Sequence, residues 1–161
     1  MSLRLPLVIV AGIVEQLQSG DTLSLAASLY NSDSLNNGES SDALTICTPV
    51  YISGASEAKK AKASAGTTAR VTGLWVSSST SAGGTGECAV GGQVVASTAQ
   101  WDAVTGDSGG LTYGDYYYLD PTTSGKLTKT APTTVGQLVV CVGKAQSTGH
   151  MLLILERPIL L

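Results

Sequence analysis

Phenylalanine is missing from this 161-residue chain, histidine occurs once, and charged residues make up only 13% of it. That is well below the usual share of about a quarter, and with 43% of its residues hydrophobic the chain does not read as disordered. With its abundant Gly, Ser and Thr, the composition instead predicts short strands joined by small-residue turns. The net charge of −3 gives no general reason to bind nucleic acid, and none is expected as a partner. Cysteine is scarce and odd in number. Cys47, Cys88 and Cys141 lie far apart, with no Cys-x-x-Cys pair to suggest zinc. They read as buried thiols acting as small hydrophobes, and an intermolecular disulfide has no positive support. There is no Walker loop, no G-x-G-x-x-G and no repeat of 20–50 residues. No cofactor or metal is expected.

One familiar word is present. "TGDSGGL", Thr105 to Leu111, spells the surroundings of the trypsin-like serine nucleophile. A serine hydroxyl needs a neighbouring base, usually a histidine held by a carboxylate. The trypsin-like order places that histidine first, whereas His150 follows Ser108. Gly106, Asp107, Ser108, Gly109 and Gly110 are all turn formers, and a turn is the expected reading. A serine hydrolase in another chain order is the remote alternative.

The N-terminal run, "MSLRLPLVIVAGIVEQLQSG", is apolar but too short to span a membrane. It contains Pro6, and Glu15 and Gln16 follow it without a small-residue cleavage site, so it does not read as a signal peptide. Leu5 to Val14 is expected as a strand or extended arm. Residues 28–42, "SLYNSDSLNNGESSD", are polar and turn-rich, and are expected to be a linker; their acids do not match an EF-hand loop. From Ala43 onward the pattern is β. Leu44 to Ser53 reads as one strand or two, broken at Pro49. Arg70 to Ser79 and Cys88 to Ser97 read as strands, the second with a bulge at Gly91 and Gly92. "STAQWDAV" is the one helical candidate, with Ser97 or Thr98 as N-cap and Trp101 pointing inward.

Little in the chain is placed for catalysis. Asp115 and Asp120 merely bracket a tyrosine strand. Tyr116 and Tyr118 share one face of that strand and Tyr117 takes the other. With Tyr113, Trp75 and Trp101 they form either a sugar-stacking platform or, more simply, core on one side and subunit interface on the other. Lys59, Lys60, Lys62 and Arg70 form a small basic cluster, expected to be solvated or to meet an acidic partner surface.

The words "TPVYIS…KKAKASAGTTARVTGLWVSSS" and "GQVVASTAQWDAVTGDSGGLTYGDYYYLDPTTSGKLTKTAPTTVGQLVVCVGKAQS" resemble a β-rich module of tailed-bacteriophage virion proteins, found in capsid decoration (cement) proteins, head fibres and tail appendages. "AGIVEQLQSGDTL" resembles a segment common at the start of such modules. The resemblance implies a non-enzymatic structural protein on the outer surface of a phage head. It implies a homotrimer held to the major capsid protein, stabilising the head. The alternative is a fibre module binding a host glycan. The expected architecture is all-β: an arm and linker (1–40), a small β-barrel or sandwich (41–157) and an apolar tail (158–161). Contacts with sister subunits or the capsid are expected from Leu5, Leu7, Ile9, Val10 and Ile13 in the arm, from Tyr117, and from Leu160 and Leu161 in the tail. Exposed alone, those tail residues would be a liability; covered by a partner, they would be an anchor.

Overall fold

In the computed structural model, residues 7–10, 13–16 and 30–161 are described. Strands β1 (Leu7–Val10) and β2 (Ile13–Gln16) pair antiparallel as a hairpin. The stretch expected as a strand or extended arm is thus two paired strands, not an extended arm, and Leu5 lies outside the described residues.

The all-β expectation holds. A closed five-stranded barrel is built from β3 (Tyr30–Asn37), β5 (Pro49–Gly54), β6 (Glu57–Lys60), β7 (Val71–Trp75) and β9 (Thr85–Val95). The order runs β9–β3–β6–β5–β7 and returns to β9; β3 and β6 are parallel and the other pairings antiparallel. Two short strands, β4 (Leu44–Thr45) and β8 (Ser79–Thr80), pair beside it. The break expected near Pro49 is real: a turn through Cys47, at φ 69°, separates β4 from β5.

β9 is 11 residues long and outlasts the barrel. Its far end pairs with β14 (His150–Leu153), which leads outward to β13 (Cys141–Ala145), β10 (Tyr116–Leu119) and β11 (Leu127–Thr128). One strand therefore serves two cores. Side chains alternate across a strand, so Trp75 and Cys88 enter the barrel with Leu35, Leu44, Val50 and Ala58. Their neighbours Leu74 and Ala89 face the other way, into a larger core with Val94, Trp101, Tyr117, Val140 and Met151. Each fully buried large side chain of this kind contributes on the order of 2 kcal/mol.

The bulge expected at Gly91 and Gly92 is present. Asn31 pairs with Gly91 but Ser32 with Ala89, leaving Val90 as the extra residue, and Gly92 sits at φ 91°. An extra residue reverses the alternation. That is why odd-numbered Ala89 and even-numbered Val94 both reach the same core. Closure of the barrel needs Gly73: a Cβ there would lie 2.0 Å from the Ala89 carbonyl oxygen.

The one helix among the described residues, α1 (Thr98–Thr105), is set by local chemistry. Ser97 is the N-cap and forms a capping box with Gln100, and Gly106 ends the helix in the left-handed region. Trp101 is buried as expected and donates its indole N–H to the Gly149 carbonyl at 3.0 Å.

The expected linker is corrected. β3 occupies 30–37 within it and pairs along seven residues with β9. Its polarity has a reason: Asn31 to Ser34 are exposed, while Leu35 and Asn37 turn inward. Asn37, 1% exposed, donates to the carbonyls of Asp42 and Thr80 at 2.8 and 2.7 Å and accepts from the Glu39 N–H at 3.0 Å.

Candidate interaction surfaces

The Thr105–Leu111 word is a turn held from below. The Asp102 carboxylate, projecting from α1, accepts from the N–H groups of Gly109 at 3.1 Å and Gly110 at 2.6 Å. Gly110 is at φ 84°, and a Cβ on it would meet the Thr148 carbonyl at 2.3 Å. Asp107 is paired with Lys129 at 3.2 Å and raises the lysine pKa. Ser108 is exposed at the tip. His150 lies at the start of β14 with its Nδ1 3.5 Å from Gln93 Nε2, and among the described residues no hydrogen bond joins it to Ser108.

Several other titratable groups are used structurally. Burial raises the Asp120 pKa, but bonds from Thr122 and Thr123, with Lys62 nearby, outweigh it and hold the carboxyl below its ordinary value. In the basic cluster, Lys60 binds Asp42 at 2.8 Å and lowers the carboxyl pKa. Cys47, Cys88 and Cys141 are free and buried. Burial pushes the first two thiols up to about 12 and raises the third, so none is poised as a nucleophile. Among the described residues no group of three His, Cys, Asp or Glu is placed to hold a metal.

The tyrosine strand is sorted by the layer behind it. Tyr117, expected as a contact residue, is corrected: it is 0% exposed and its hydroxyl accepts from the Thr112 N–H at 2.9 Å. A side chain sealed in the core reaches no partner. Tyr116 is the exposed member, with the Lys144 ammonium 5.0 Å from its ring centre. Tyr113, 78% exposed, lines an open cleft of about 510 Å³ with Gly114, Lys144, Ala145 and Gln146. Cross-strand pairing extends the row: Tyr116 lies opposite Lys144, Lys144 opposite Leu152, and Leu152 opposite Gln93. Gln93 donates to Gln146. Gln93 and Gln146 are not legible as a pair in the sequence because they lie 53 residues apart and meet only through the pairing of β14 with both β9 and β13.

The C-terminal tail is a strand. β15 (Ile159–Leu160) pairs with β12 (Leu138–Val139) as a separate two-stranded sheet. Its side chains still face solvent: Ile159, Leu160 and Leu161 are exposed, Leu160 at 68%. Exposed Val135 lies one residue from Gly136, which bonds Leu161. Beside this patch runs an open groove of about 580 Å³ lined by Arg70, Leu138, Glu156, Arg157 and Pro158. Of the arm candidates, Leu7, Ile9 and Val10 lie on β1 and Ile13 on β2, where Ile9 is opposite Val14 and Val10 opposite Ile13. The chain matches no known family model and no curated protein.

Proposed function

We propose that the chain is a non-enzymatic structural subunit of a tailed-phage virion: a β-barrel decoration protein that sits as a trimer on the major capsid protein and stabilises the head. The resemblance of its turn-and-strand words supplies the setting. The observation that carries a docking role is the tail, where an open strand edge leaves Ile159, Leu160 and Leu161 in solvent beside Val135. Contiguous exposed apolar surface of this kind marks interaction sites. A lattice site on a capsid multiplies many weak contacts through effective concentration. The test adds the purified protein to expanded capsids that lack it. Binding with a rise in heat resistance is expected; particles equally heat-stable without it end the cement role.

A second reading, a glycan-binding fibre module, is favoured by one observation. Exposed Tyr113 lines a cleft with Lys144 and Gln146, Lys144 also lies over the ring of exposed Tyr116, and Gln146 leads to Gln93. Aromatic faces with amides that both donate and accept suit sugar hydroxyls. A glycan array should then show binding that Tyr113→Ala or Tyr116→Ala removes, and a flat array counts against it.

A further inference from the structure

The tail and the N-terminal hairpin are two unfinished sheets. β12–β15 has two strands and β1–β2 has two, and among the described residues neither pairs with the other or with the nine-stranded sheet. A two-stranded sheet is marginal on its own in water. An open apolar edge is a template for another strand.

The edge is aimed. Leu161 bonds inward, donating its N–H to Gln137 at 3.1 Å and accepting from the Gly136 N–H at 3.0 Å. Backbone groups alternate sides along a strand, so the N–H and C=O of Leu160 point to the open side. The charges of the two pieces also differ. The groove beside the tail carries Arg70 and Arg157 against Glu156 alone. In the hairpin strands, "LVIV" and "IVEQ", Glu15 is the one charged residue.

A single chain carries both pieces, and among the described residues they are separate sheets. This favours pairing between copies, where a head-to-tail contact repeated around a ring closes an oligomer. We propose that β2 of one copy adds to the open edge of β15 in a neighbouring copy. β12, β15, β2 and β1 then form one four-stranded sheet shared by two subunits, with Glu15 of the donor set against Arg70 and Arg157 of the acceptor. This rests on the reading that the protein works in an assembly.

The experiment measures the mass of the full chain by light scattering across a dilution series. Tryptophan fluorescence, which reports buried Trp75 and Trp101, checks that each variant is folded. The wild-type chain should be oligomeric. Leu160→Pro removes the outward N–H while keeping the inward bonds of Leu161, and should weaken association roughly tenfold or more. Arg157→Glu should weaken it too, and adding Glu15→Arg to Arg157→Glu should restore it. If Leu160→Pro does not fold, the charge exchange still decides. A monomeric wild type, an oligomer indifferent to these variants, or a double variant no better than Arg157→Glu overturns the exchange. So does a Val14→Cys, Leu160→Cys pair that crosslinks within single copies only. Capsid binding is read separately. Variants that stop self-associating yet still bind capsids leave the decoration role standing. A chain that exchanges hairpins but never binds a capsid overturns that role instead.

Discussion

The side-chain amide of Asn37 donates to the carbonyl of Thr80 at 2.7 Å, joining barrel strand β3 to β8 beside the barrel. Thr80 is also the acceptor, through its hydroxyl, for the indole N–H of Trp75 at 3.1 Å. One buried threonine therefore satisfies two groups that water cannot reach. Thr80→Val, nearly equal in shape, strands the indole N–H and should cost about 1–3 kcal/mol. Thr80→Ser should retain most of the stability. Thermal unfolding of both variants checks this, and a Thr80→Val protein as stable as wild type would show the bond to be unimportant.

The Gly109 and Gly110 positions separate backbone conformation from space. Both lie in the left-handed region, but a Cβ on Gly109 meets nothing while one on Gly110 meets the Thr148 carbonyl. Gly109→Ala should cost on the order of 1 kcal/mol. Gly110→Ala adds a backbone clash and should cost several times more. Ser108→Ala, at an exposed tip, should stay within about 0.5 kcal/mol of wild type. Chemical denaturation ranks the three. In the same samples, Ser108 should take no label from a fluorophosphonate probe.

Stability should decline in alkali. Burial holds Cys47 and Cys88 neutral up to about 12, whereas an unfolded thiol ionises near 9.0. Between those values unfolding releases protons that the folded chain keeps, so stability is full below pH 9 and falls as pH rises toward 12. The slope is on the order of 1 kcal/mol per pH unit for each thiol. Urea titrations at stepped pH under reducing conditions measure it. The double variant Cys47→Ala, Cys88→Ala should start less stable and show a flatter decline; an unchanged slope would assign the effect to other groups.

Neighbouring tyrosines should behave oppositely. Tyr117→Phe removes the acceptor of the Thr112 N–H and should cost about 1 kcal/mol or more. Tyr116→Ala, at an exposed position, should leave the melting temperature nearly unchanged. Calorimetry on the two variants tests whether the core assignment is right.

The parts legible in the sequence are those set by near neighbours. Ser97 and Gln100 sit three residues apart, so α1 and its inward Trp101 can be read directly. Two adjacent glycines mark the β9 bulge, and isolated cysteines mark buried thiols. The parts that were hidden depend on distant partners. β3 looks like a linker because only Leu35 and Asn37 turn inward, and its partner β9 lies some 50 residues away. Alternation separates Tyr117 from Tyr116, but which face is inward depends on the layer behind the sheet. The tail looks like a loose anchor because its pairing with β12 is a tertiary fact.

The shared strand β9 also determines how the molecule comes apart. Its first half is a stave of the barrel, and its last residues are the floor of the outer sheet. Neither region can be peeled away without taking a wall from the other. A body built around such a common spine behaves mechanically as one piece, so a load applied at one end is carried through covalent backbone rather than across a soft seam.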